Sequence, residues 1–483
     1  MRRRGARAKP PFRAAPTRLR GANRRPRACF GQTARRTIAH AFVTIKIALL
    51  TITPPQLNAS KAFAAAVALA FALTLEGCRM PQNSENTRTD EQPKAAMKTP
   101  DPDATPAAAT DALSVHRRAV AIDLHADTVQ FMVDEGADIN RRLSTTHLDA
   151  VRMREGGLDA QFFSIWVEPN LYGGGGARCV ARADEQVAAV RALAERNPET
   201  WVLANTAADI RRAADEGKLA ALIGLEGGYA IDEKLENVER YYRMGVRYMT
   251  PAWTYSLSWA GSSGDAAGRT RGLDDFGRQV IREMNRLGIM VDVSHVSDKT
   301  FRDMVETSTK PVIASHSNAR AIVNHPRNLT DEQIRALART GGVVCVVFYP
   351  AFVEPGWDES KARIDAEIAP LVREAGERAT GRGSFRRIAR DRVREREFRK
   401  RLPPVKVARI VDHIDHIVRL VGVDHVGVGS DFDGIQAVPA DLSSVADFPN
   451  LTAELLRRGY TEDDVSKILG GNILRVMEEV EKR

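Results

Sequence analysis

From Val115 onward the chain alternates short β-type runs with segments of helical periodicity, and this leaves few folds open to it. The runs are Ala119 to Leu124, Asp159 to Val167, Leu219 to Leu225, Val246 to Pro251, Ile289 to Ser294, Pro311 to Ala314, Gly342 to Phe348 and His425 to Gly429. Helix signals lie between them. Thr330-Asp331-Glu332-Gln333 forms a capping box that opens a helix over Glu332 to Arg339, and Gly341-Gly342 closes it. Eight β-α units in about 370 residues predict an α/β fold, a (β/α)8 TIM-type barrel. An open doubly wound sheet is the competing arrangement.

The regular alternation is interrupted once. Residues 352–405, before the last strand, are dense in Arg, Glu and Asp, and they read as a solvated helical insertion with both charge signs on its faces. Covering the barrel mouth, or building an oligomer contact as in a homodimer, is the other use for such a segment. A regular helix from Val405 to Val421 then leads into the last strand, and a C-terminal helix follows it.

Charge separates the amino terminus from this body. The formal net charge is +9, yet residues 1–60 hold 14 Lys or Arg and no acid, which leaves 57 basic against 62 acidic groups from Lys61 onward. The body is mildly acidic and does not interleave basic with aromatic residues, so nucleic-acid binding is not expected. Residues 1–60 form an Arg-rich leader, and a translation start nearer Lys61 would account for it, as no Met occurs between Met1 and Met80. Residues 61–78 carry an apolar run, Ala62 to Leu75, that is short for a bilayer span but suits an export signal. Cys78 ends it, as in a bacterial lipoprotein box, although Glu76 departs from that box. The expectation is export to the periplasm or cell envelope with a lipid anchor at Cys78. A Pro-, Asn- and Ala-rich tether over residues 79–112 leads to the folded body at 113–483.

In a parallel barrel the carboxyl ends of the strands share one face, and groups from different strands meet there. The first run ends in His125-x-Asp127, two residues that alternation sends to one side. The third ends in Gly224-Leu225-Glu226-Gly227-Gly228, the fifth in Ser294-His295, the sixth in Ser315-His316-Ser317 and the eighth in Ser430-Asp431-Phe432-Asp433. Three His and three acidic residues in phase with the strands suit a pair of divalent metals. One site could take His125 and Asp127, the other His295 and His316, with Glu226 between, leaving Asp431 to move a proton.

With Arg327-Asn328 and Leu469-Gly470-Gly471-Asn472, this ordered set resembles the membrane dipeptidase family, also called renal dipeptidases, over Val115 to Val476. These are dinuclear zinc peptidases of the amidohydrolase-like barrel superfamily. The resemblance implies two zinc ions per chain held by His125, Asp127, Glu226, His295 and His316, with Glu226 bridging. It also implies dipeptide hydrolysis by a metal-bridging hydroxide, with tolerance of D residues at the C-terminal position. Asp431 would handle the proton, and Arg327 would bind the substrate's C-terminal carboxylate with its bidentate fork. Where some family members have a His after the fourth strand, this chain has Trp253, which offers one N–H donor or simply a pocket wall. His413 and His416, at i and i+3 on a helix, read as a solvated face rather than a metal pair. Two other readings compete: a related barrel metallohydrolase acting on another amide or ester, and a non-catalytic tethered binding lipoprotein.

Overall fold

The computed structural model describes residues 108–381 and 383–482. The leader, the signal segment with Cys78 and nearly all of the tether lie outside the described residues. A helix, Ala108–Arg118, spans the boundary expected at residue 112.

The strands are β1 (Ile122–Ala126), β2 (Ala160–Trp166), β3 (Trp201–Leu203), β4 (Leu219–Glu226), β5 (Val246–Thr250), β6 (Met290–Asp292), β7 (Val312–Ala314), β8 (Val343–Val346) and β9 (Val426–Val428). All pair in parallel, in the order β1-β2-β4-β5-β6-β7-β8-β9. The ring closes between β1 and β9, where the Asp431 amide donates to the His125 carbonyl at 3.0 Å and the Asp127 amide to the Phe432 carbonyl at 2.9 Å. Asp123 reinforces this seam by accepting from the Ser430 amide at 2.7 Å and hydroxyl at 2.6 Å. The eight expected strands are therefore present as a TIM-type barrel. β3 is an addition to them. It pairs with the start of β4, Trp201 opposite Leu219, along the edge that β5 takes over from Ile223. Three residues carry too little periodicity to be read as a strand.

Inside the ring, Leu124, Phe162, Leu222, Tyr248, Met290 and Ile313 pack with Ile473 and Met477 of the C-terminal helix Asn472–Glu481. Alternation along β4 sends Ala220, Leu222, Gly224 and Glu226 to one side, so apolar residues fill the lower barrel while the last position delivers a carboxylate to the mouth. β1 reaches the same result differently. Its register slips between Asp123 and Ala126, a bulge-like irregularity that lets Leu124 pack in the barrel while His125 faces the mouth.

The helix after Thr330 forms as the capping box requires, with both reciprocal hydrogen bonds in place over Asp331–Arg339. The insertion is also helical, comprising Trp357–Arg378 and Gly383–Arg401, but the expectation of a solvated segment needs correction. Trp357 and Phe398 are buried between its helices. Arg392 pairs with Glu135 at 2.6 Å, and the Arg387 guanidinium lies 4.2 Å from the Trp166 ring centre. The second helix thus reaches across the strand ends. No helix among the described residues is long and apolar enough to cross a membrane.

Candidate metal centre

Glu226 is the centre of the site, buried at the end of β4, and its two oxygens face different partners. Oε2 lies 3.5 Å from His125 Nε2 and accepts a hydrogen bond from Ser164 at 3.0 Å. Oε1 lies 2.9 Å from His295 Nε2 and 3.7 Å from His316 Nε2. The two expected ligand pairs therefore stand on either side of one carboxylate. Asp127 and Asp431 join the His125 side, where one ligand atom from each of the three residues lies within 4.8 Å of the others.

Neighbouring groups set the direction of two of the imidazoles. Asp292 accepts from the Ser315 amide at 2.8 Å and hydroxyl at 2.6 Å, so that hydroxyl is left to accept from His316 Nδ1–H at 2.8 Å. The lone pair of His316 Nε2 then faces the site. It meets His295 Nε2 at 2.8 Å, a separation that two nitrogen lone pairs tolerate only with a cation or proton near both. On the other side Tyr248 Oη lies 2.7 Å from His125 Nδ1. His125 Nε2 and Asp127 Oδ1 are buried with no hydrogen-bond partner among the described residues. Orphaned donor atoms of this kind, three imidazoles and a shared carboxylate fit a pair of divalent ions of the zinc type.

Electrostatics point the same way. Burial lowers His295 to about 4 and holds His316 well below its ordinary range, which keeps both neutral and free to ligate. Burial opposes charge on His125 too, but Glu226 overcomes it and raises this group to about 10. The carboxylates thus call for positive charge among them, which a metal would supply in place of a proton. Burial pushes Asp431 up to about 8, with Asp127 and Glu226 adding to the rise, and cations held among these carboxylates would bring it back down and leave it ionised at neutral pH.

His295 and Asp431 lie beyond the last paired residues of their strands, in the left-handed region at φ 67° and 63°, where non-glycine residues are rare. Such strain persists where packing over-determines it, and here it turns both side chains into the mouth. Two glycines make room. A Cβ at Gly224 would enter the Tyr248 ring, and one at Gly434 would collide with the carboxylates of Asp127 and Asp431.

Arg327 is buried beside the second pair, donating through Nη2 to the His316 carbonyl at 3.1 Å, with Nε unpartnered. Trp253 stands edge-on to Trp166 at 4.7 Å and 6.2 Å from the His295 ring, which makes it a wall of the mouth. All eight expected site residues therefore meet at one end of the barrel. Sequence reasoning missed Tyr248, Ser164 and the orienting role of Asp123 and Asp292; the Asp in each of Asp123-x-His125 and Asp292-x-x-His295 was the available signal. His413 is not on a solvated face: it is buried, accepting from the Ala319 amide and facing the Val353 carbonyl, both at 3.1 Å.

Candidate metal ligands gathered around one carboxylate at the mouth of a parallel barrel point to a class, the metal-dependent hydrolases. Comparison with known proteins narrows it: the family model of the membrane dipeptidases (peptidase family M19) matches residues 109–483, and the chain belongs to that family. Among solved structures, the probable dipeptidase PvdM from Pseudomonas aeruginosa is 26% identical with a TM-score of 0.66, over 78% of this chain and 99% of that one. The metallopeptidase dipeptidase AC is 25% identical with a TM-score of 0.61, over 75% and 98%. A Rhodobacter sphaeroides metallopeptidase, solved with a phosphinate mimic of L-Ala-D-Ala, shares the fold at 24% identity and a TM-score of 0.60, over 75% and 99%. The protein is a metallodipeptidase.

Proposed function

We propose that the chain is a dinuclear zinc dipeptidase whose ligands are His125 and Asp127 on one side, His295 and His316 on the other, and Glu226 between. The observation that carries this reading is the division of the two Glu226 oxygens between the two ligand pairs. When bound, the ions would supply a water acidic enough to attack at neutral pH and a Lewis acid for the scissile carbonyl. Asp431, 4.0 Å from His125 Nε2, takes the proton of the attacking water and returns it to the leaving amine. Arg327 pairs with the carboxylate of the C-terminal residue. Tolerance of D as well as L residues at this position is part of the same reading, as the family resemblance implies. Trp253 bounds the pocket.

Elemental analysis of active protein should find close to two zinc equivalents, and a value near one would contradict the shared carboxylate. Dipeptides, L,L and L,D alike, should be cleaved while their C-terminal amides are poor substrates. Equal kcat/KM for a dipeptide and its amide would remove the role given to Arg327. We also propose that the protein is exported and anchored through Cys78. Cys78→Ser should move it from the membrane to the soluble fraction, and unchanged retention would argue against the anchor.

A further inference from the structure

The insertion brings one cation to the mouth that the reading above does not use. Arg387, half-buried, lies with its guanidinium 4.2 Å from the Trp166 ring centre and pairs through Nε with Asp391, one helical turn on, at 3.3 Å. Among the described residues neither terminal nitrogen of Arg387 makes a hydrogen bond. With Gln130, His147, Asp391 and Asp433 it lines a cavity of about 40 Å³ beside the Asp431 loop. Burial raises the pKa of both Asp127 and Glu168, and the charge of Arg387 opposes that rise.

The position of Arg387 around the ring gives it a use. In the strand order β1-β2-β4-β5-β6-β7-β8-β9, Trp166 ends the second member and the loop bearing Arg327 follows the sixth, so the two arginines face each other across an eight-stranded ring. An extended dipeptide spans about 7 Å. With its carboxylate on Arg327 and its peptide carbonyl over Glu226, its N-terminal residue points towards β2. There Trp166 offers an apolar flank, and the guanidinium, steadied by Asp391, offers its two terminal nitrogens in a planar fork. Asp127 would be taken up in holding a metal, and Glu168 accepts from the Asn170 amide at 3.4 Å.

We propose that Arg387 determines specificity for the N-terminal residue of the substrate, selecting dipeptides whose first side chain is a carboxylate, Asp or Glu. This rests on the dipeptidase reading and names its substrate class.

The test uses the zinc-loaded full chain and two isosteric substrates, Glu-Ala and Gln-Ala. A charge-assisted fork to a carboxylate should favour Glu-Ala by about 10- to 100-fold in kcat/KM, carried mainly by KM. In Arg387→Gln the ratio should collapse to about 1. Arg387→Lys, which keeps the charge without the fork, should fall between them, and it carries the test if the Gln variant fails to fold. A wild-type ratio near 1, or a ratio that Arg387→Gln leaves unchanged, overturns the proposal while leaving the dipeptidase reading intact. Failure to hydrolyse either peptide would overturn both.

Discussion

Glu226, buried, and Asp431, partly buried, are both carboxylates within reach of His125, yet their surroundings give them different work. Glu226 has an oxygen for each ligand pair, whereas Asp431 has His125 as its neighbour on one side only. Asp431→Asn keeps the shape and removes the basicity, so zinc content should persist while kcat falls by about 10² to 10⁴. Glu226→Gln should lose zinc and activity together. Zinc loss in the Asp431 variant would mean the roles are exchanged. Tyr248 acts through His125. Its hydroxyl orients the imidazole, so Tyr248→Phe should weaken zinc affinity by about 10- to 100-fold, measured by chelator competition, with the fold retained. This residue also explains Gly224: only glycine lets the ring cross the barrel interior to reach His125.

Each strand here ends where its chemistry begins, but the insertion is the element that departs from the barrel plan. Its buried face joins the core between the barrel and its outer helices, where Phe398 packs against Trp357 at 6.2 Å between ring centres and lies under the Lys361 ammonium at 5.5 Å. Phe398→Ala should cost about 3 to 5 kcal/mol locally. Because the barrel has a separate interior core, the loss should appear as faster hydrogen exchange and proteolysis within 357–401 before any change in the barrel strands. Simultaneous exposure of both would show that the insertion and barrel unfold as one unit. The high density of charge in this element obscured its packing in the sequence. Few apolar residues mark its buried face, because arginine stems and planar heads serve as contact surface there, as Arg387 does on Trp166.

The barrel as a whole carries a pH liability outside its active site. His413 fixes the helix Val407–Val421 to two neighbouring loops as a neutral ring, with Nδ1 accepting from Ala319 and Nε2–H donating to Val353. Burial lowers its pKa from 6.5 to about 4, and does the same to His116. Their stabilising contribution is intact above the unfolded value. Between pH 6.5 and 4 the unfolded chain takes up protons that the folded chain refuses, so stability should fall by about 1.4 kcal/mol per unit for each such histidine. Urea midpoints across this range should show the decline, and His413→Gln, which can reproduce both hydrogen bonds without titrating, should make it shallower. An unchanged slope would place the acid sensitivity elsewhere.

Strand ends and their polar residues are local features, so the barrel class and the candidates His125, Asp127, Glu226, His295, His316 and Asp431 could be picked out along the chain, whereas Arg327 and Trp253 entered only through the family resemblance. Alternation made this possible for β4, where Leu222, Gly224 and Glu226 keep one phase from core to mouth. Which partners meet across the ring was not legible. The bulge in β1, the left-handed turns at His295 and Asp431, the reach of Tyr248 to His125 and the placing of Arg387 opposite Arg327 depend on closure of the ring and on a helix packed from outside it. These contacts join residues more than 100 positions apart in several cases, and no local period encodes them. Tertiary packing alone decides which side chains share the mouth, because only packing supplies the buried surroundings that hold strained backbone and unpaired charge in place.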